Sequence, residues 1–211
     1  MDNQFKPLEE IREIRSIMER SSRFQALSGI AGVVVGFIAI AGTVIAYAAL
    51  GLSYNQVPYE AEGQEQYSSM QLNGTFLLID ALVVLILSAA TGILFAVRNA
   101  RKKGLPVWDN AAKRLLINFA IPLAAGGIFC VILFYHGFFS LMAPATLIFY
   151  GMALLNGSKY SIDDIRYLGI IEIVIGLLAA VFIGHGLIFW ALGFGLLHII
   201  YGIRFYFKYE K

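Results

Sequence analysis

Charge is scarce in this chain. Only 14% of its 211 residues are Asp, Glu, Lys or Arg, and 59% are hydrophobic, whereas a soluble domain carries roughly 25% charged residues. That shortage excludes an ordinary water-soluble globule, and no nucleic-acid partner is expected. Cysteine is scarcer still. The single Cys130 lies inside an apolar run, so there is neither a disulfide framework nor a cysteine cluster with metal-ligand spacing. The chemistry-bearing motifs are missing too: there is no HExxH, no GxSxG, no glycine-rich phosphate loop and no His pair at ligand spacing. Catalysis by a recognised constellation is therefore unsupported. The expectation is a protein that is not an enzyme and holds no cofactor or metal.

What the chain has in abundance is apolar runs of about 20 residues, each long enough to cross a hydrocarbon core about 30 Å thick as a helix. Spans are expected near Leu27 to Leu50, Thr75 to Val97, Leu115 to Tyr135, Ser140 to Leu155, Tyr167 to Ile183 and Leu187 to Ile203. Pro144 falls in an outer helical turn, where proline is tolerated. Gly184-His185-Gly186 makes a tight turn, which predicts that the last two spans form a close antiparallel hairpin. The fold class is all-α: an integral membrane bundle of six transmembrane helices as three antiparallel hairpins.

The distribution of charge orients that bundle, because short cytoplasmic loops carry the Lys and Arg excess. Lys6, Arg12, Arg15, Arg20 and Arg23 precede the first span, and Arg98 to Arg114 join the second to the third. Lys159 and Arg166 join the fourth to the fifth, and Arg204, Lys208 and Lys211 lie at or beyond the end of the last. All 16 basic residues thus fall on one side. The other side shows Glu60, Glu62, Glu65, His136 and His185. A multi-pass protein of the plasma or inner membrane is expected, with both termini in the cytoplasm and the first span as its own insertion signal rather than a cleaved signal peptide.

Two domains follow: residues 1–25 as an amphipathic N-terminal helix and residues 26–211 as the transmembrane domain. In the first, Leu8, Ile11, Ile14 and Met18 recur at helical spacing, with Glu9, Arg12, Glu13, Arg15 and Glu19 on the other faces and Pro7 suited to a first turn. Such a helix lies in the membrane interface. Docking onto a partner is the alternative. Gly51 to Asn73 reads as a solvated, acidic outer loop free of Lys.

The second half of the chain repeats itself. HGFFSLMAPATLIFYGMALLNGSKY from His136 and HGLIFWALGFGLLHIIYGIRFYFKY from His185 align without gaps at His-Gly and at the closing Lys-Tyr. The stretches GGIFCVILFYHGFFSLMAPATLIFYGMALLNG and LGIIEIVIGLLAAVFIGHGLIFWALGFGLLHIIYGI resemble the short-repeat membrane family that includes the acid-resistance protein HdeD. The resemblance covers about half the chain and implies a six-helix cytoplasmic-membrane protein linked to envelope stress, without a defined catalytic site. No residue role is carried over from it.

Ionisable side chains inside a span cost about 2.5–3.5 kcal/mol on insertion scales and are candidates for function by default. Three stand out: Asp80, Glu172 and His198. Glu172 lies six residues beyond Arg166, and His198 six before Arg204, so at 1.5 Å per residue both sit about 9 Å inside the cytoplasmic boundary. Glycines stand at i−3 and i+4 from each: Gly169 and Gly176 around Glu172, Gly195 and Gly202 around His198. Small residues let membrane helices approach closely, so a Glu172–His198 contact is predicted, with Tyr150 and Asn118 completing an intramembrane polar cluster. Asp80 and Thr91 form a second polar stripe on the second span. A carboxylate beside an imidazole can relay protons or hold a cation. It can equally be interhelical glue, and that reading is preferred here.

The functional expectation is a non-enzymatic membrane protein with an accessory, regulatory or envelope-stress role. It acts through the lipid bilayer, a membrane-protein partner or a second copy of itself. The alternative is a small proton-coupled transporter or channel using Asp80, Glu172 and His198. The two differ in whether a water-accessible cavity or a dry, packed bundle surrounds these side chains.

Overall fold

The structure is a computed structural model that describes residues 24, 26–50 and 64–211, with side chains from residue 73 onward in the last stretch. Apart from Phe24, the expected amphipathic helix over 1–25 lies outside the described residues, as does the first half of the outer loop. Among the described residues all regular elements are helical. They are α1 (Gly29–Leu50), α2 (Gln64–Lys102), α3 (Asn110–Tyr135), α4 (Met142–Gly157), α5 (Asp164–Val181) and α6 (Gly186–Tyr209). Short 3-10 turns at Phe139–Leu141 and Ser158–Tyr160 flank α4.

Five stretches, α4 being taken with its flanking 3-10 turns, are long and apolar enough to cross a membrane: Gly29–Leu50, Asn73–Lys102, Asn110–Tyr135, Phe139–Tyr160 and Gly186–Tyr209. The architecture is that of a multi-pass membrane protein. Large apolar side chains face outward along it, among them Ile79, Ile86 and Leu94 on α2 and Ile121, Ile128 and Val131 on α3. Lipid, which is as apolar as leucine, satisfies such faces. The sixth helix, α5, is 18 residues long and stands apart, because Asp164, Arg166 and Glu172 interrupt its apolar sequence.

The second helix departs from expectation. Gln64 to Asn73 is helical rather than part of a loop, and α2 runs for 39 residues, about 58 Å at 1.5 Å per residue. The run Gln-Glu-Gln-Tyr-Ser-Ser-Met-Gln-Leu holds no glycine or proline, so nothing stops the helix before the apolar stretch begins. At the start of α3, the Asp109 side chain accepts from the Ala112 backbone N–H at 2.6 Å, satisfying one of the free donors of a helix N-terminus.

Lipid offers helices no hydrophobic reason to associate, so packing depends on close van der Waals approach. The centre of the bundle joins five helices through Ala39, Val84, Leu147, Ala179 and Trp190. α3 lies outside this centre and packs on α4 through Cys130, Leu133 and Ala145. Helix neighbours run from α2 to α1 to α6, then from α6 to both α4 and α5, with α3 against α4.

The expected close hairpin of the last two spans is realised only in part. α5 packs chiefly on α4, and α6 chiefly on α1. The glycines explain it. A Cβ on Gly169 would sit 2.7 Å from the Gly151 carbonyl of α4, and one on Gly202 would sit 2.6 Å from the Gly29 carbonyl of α1. The four glycines around Glu172 and His198 thus serve two other interfaces, and the tight turn brings α5 and α6 together without making them each other's principal partner. The turns of the two repeats also differ. Gly137 takes positive φ after its His, whereas in the second repeat it is Gly184, ahead of His185, that does so.

Candidate functional site

Glu172 on α5 is wholly enclosed, at 0% exposure, and His198 on α6 is 5% exposed. Their nearest atoms, His198 Nδ1 and Glu172 Oε1, lie 3.4 Å apart. Matched depth in the two helices brings the pair together, as their equal spacing from Arg166 and Arg204 predicts. From α4, the Tyr150 hydroxyl lies 2.8 Å from His198 Nε2. The Tyr150 ring also joins an aromatic group, tilted against Phe194 at a centroid distance of 5.0 Å and edge-on to Phe119 at 5.9 Å.

Hydrogen-bond direction can be assigned by chemistry. His198 Nδ1 lies 3.0 Å from the Gly193 carbonyl oxygen, which only accepts, so Nδ1 carries the hydrogen. In the neutral imidazole Nε2 is then an acceptor, and the Tyr150 hydroxyl donates to it. Gly193 belongs to a π-helical stretch, Ala191–Leu197, in the middle of α6. Such stretches are uncommon and recur at functional positions. Here the stretch presents a main-chain carbonyl to the imidazole five residues later.

Glu172 is the unusual member. Among the described residues neither carboxyl oxygen has a hydrogen-bond partner, although both are enclosed. The Nδ1–H is committed to Gly193, and the 3.4 Å approach to Oε1 adds proximity without hydrogen-bond geometry. A bare carboxylate in this setting would be an uncompensated buried charge, which is costly, so the arrangement describes a carboxylic acid beside a neutral imidazole. Room for it exists because residue 193 is glycine: a Cβ there would sit 2.5 Å from Glu172 Oε2 and equally close to Leu147 Cδ2.

Asn118, expected in the cluster, is elsewhere. Its side chain donates to the Arg114 carbonyl at 2.8 Å, and its own backbone carbonyl accepts from Asn156 Nδ2 at 2.8 Å. Because α3 packs chiefly on α4 and its flanking 3-10 turns, its polar residue meets the α4 asparagine. Asp80 and Thr91 on α2 are half-buried. Asp80 faces α1, where a Cβ on Gly42 would lie 3.4 Å from its Oδ2.

Several polar contacts were not foreseen. Asn99 at the end of α2 donates to the Ala26 and Leu27 carbonyls at 3.3 and 2.7 Å. Glu210 accepts from the Gly29 backbone N–H at 2.6 Å, placing a carboxylate at the N-terminus of α1, where a helix favours negative charge. Ser161 Oγ donates to the Phe24 carbonyl at 3.2 Å, and the Phe24 N–H to the Tyr160 carbonyl at 2.8 Å. Four distant parts of the chain thus meet at one end of the bundle. Nothing in local sequence signals these pairs, since each joins residues far apart along the chain.

No family model matches this chain, and no similarity to a curated protein or to a solved structure is found. Function must come from the site. Among the described residues no group of three His, Cys, Asp or Glu side chains could hold a metal ion. The cluster combines a carboxyl group, an imidazole and a phenol, all able to exchange protons.

Proposed function

We propose that this is a non-enzymatic, six-span protein of the plasma or inner membrane with both termini in the cytoplasm, serving an accessory or regulatory role among lipids or other membrane proteins. Two features support six spans. α5, at 18 residues, is about 27 Å long, close to the thickness of a hydrocarbon core, and counting it as a span places every Lys and Arg on one side. The observation that carries the accessory role is the enclosure of the polar cluster: Glu172 is 0% and His198 5% exposed. A translocation site needs access from water, whereas a packed cluster joins α4, α5 and α6 as glue. A place in envelope stress rests on the family resemblance alone.

One observation favours a second reading, a proton-coupled carrier. Among the described residues the two enclosed carboxyl oxygens of Glu172 have no hydrogen-bond partner, and intramembrane ionisable groups of this kind mark proton pathways. Proteoliposomes containing the purified protein separate the readings. Proton and cation flux is measured from about pH 5 to about pH 8, beside a Glu172→Gln variant. Absence of Glu172-dependent flux from folded protein is the expected result. Flux that the substitution abolishes would replace the accessory role with the carrier.

A further inference from the structure

We infer that Glu172 is a proton-binding site whose occupancy switches the hydrogen bond of His198 between the π-helical stretch of α6 and the carboxyl group of α5. The starting geometry is on three helices. His198 Nδ1 donates to the Gly193 carbonyl at 3.0 Å while Glu172 Oε1 waits 3.4 Å from the same nitrogen. One N–H therefore has two acceptors within reach, one of which is unsatisfied and wholly enclosed. The titratable side chains facing the carboxyl group are His198 from α6 and, behind it, Tyr150 from α4. No Lys or Arg makes an ion pair with it among the described residues.

In the protonated state Glu172 is neutral, and the better acceptor for Nδ1–H is the Gly193 carbonyl, as the structure has it. Loss of the proton breaks the carboxyl O–H bond and delivers the proton to water. The electron pair stays on the carboxylate, which becomes the strongest acceptor beside Nδ1. A charge-assisted hydrogen bond is shorter and roughly twice as strong as a neutral one, and an unpaired buried carboxylate is costly. His198 then turns its Nδ1–H to Oε1, and the Gly193 carbonyl loses its partner. That carbonyl belongs to Ala191–Leu197, which packs against α1 at Gly36 and Ile40. The proton thereby sets the local winding of α6, and with it the α1–α6 contact. The switch is an equilibrium property and requires no passage of protons across the bilayer, so it stands apart from both functional readings above.

Trp190 reports on this region. It is 8% exposed, and its ring centroid lies 5.0 Å from Phe194, which in turn contacts Tyr150 and His198. The chain has two tryptophans, and the other, Trp108, is exposed, so a Trp108→Phe background isolates the signal. Full-length protein in lipid nanodiscs is titrated from about pH 4 to about pH 10 by Trp190 emission and by infrared difference spectroscopy of the acid carbonyl band. The expected result is one titration with the same midpoint in both signals, absent from Glu172→Gln and retained in Asp80→Asn. Carboxyl-13C-glutamate labelling of the unaltered chain shifts the same band, which assigns it to a glutamate rather than an aspartate even if the Gln variant does not fold; of the nine glutamates, Glu172 alone lies in the middle of an apolar run. A band that ignores the label, or an emission change that persists unaltered in a folded Glu172→Gln protein, overturns the inference.

Discussion

Replacing Gly202 by alanine should separate α6 from α1 measurably. At this position a Cβ would stand 2.6 Å from both the Gly29 carbonyl oxygen and the Val33 backbone nitrogen, and 3.0 Å from the Gly32 carbonyl carbon. All three are main-chain atoms of one rigid helix, so no side chain can swing aside. Ordinary non-bonded contact lies near 3.5 Å, which requires α1 to withdraw by about 1 Å along that stretch. Overpacking of this kind costs about 1–3 kcal/mol, roughly a five- to 150-fold fall in the folded-to-unfolded ratio. The matched control is Gly92→Ala on α2, where nothing lies within 4 Å of the new methyl group. There, stability should stay level or rise by up to about 1 kcal/mol from lower backbone entropy in the unfolded chain. Reversible unfolding in mixed micelles, followed by circular dichroism, compares the two directly. Equal stability of the two variants would refute the reasoning that main-chain contact at Gly202 holds α1 against α6.

Gly193→Ala should destabilise by crowding Glu172 Oε2 and Leu147 Cδ2, by about 1–3 kcal/mol. Combining it with Glu172→Ala should recover part of the loss, and strictly additive costs in a double-mutant cycle would contradict the contact. Tyr150→Phe and His198→Ala remove the two ends of a 2.8 Å hydrogen bond, and their coupling energy should fall near 0.6 kcal/mol, with an upper limit of about 1.7. A coupling of zero would deny that the bond forms. Glu210→Ala strips the carboxylate from the α1 N-terminus and should lower stability by about 1 kcal/mol, with Glu210→Asp intermediate. An unchanged unfolding midpoint would show that water satisfies the Gly29 N–H as well.

How much of this was legible beforehand depends on the range of the physics involved. Transmembrane spans are local: a helix satisfies its own backbone, so a run of apolar residues long enough for a bilayer declares itself, and Leu27 to Leu50 or Leu115 to Tyr135 could be read directly. Matched depth is nearly local as well. Rise per residue is constant, so equal spacing of Glu172 and His198 from their basic neighbours placed them at one level, and the structure has them 3.4 Å apart.

Partner choice was decided only in three dimensions. Gly169 and Gly176 could equally have faced α6 or α4, and Gly195 and Gly202 either α5 or α1, because a glycine marks where some backbone comes near without saying whose. The assembled bundle sent the first pair to α4 and the second to α1. Asn118 found Asn156 rather than Glu172, since α3 packs chiefly on α4. The π-helical stretch at Ala191–Leu197 left no local signature either. Composition and periodicity determined that this chain carries helices long and apolar enough to cross a membrane. Tertiary packing alone decided that Glu172 would be enclosed with its oxygens unpaired, because only the meeting of α4, α5 and α6 excludes the donors that would have satisfied them.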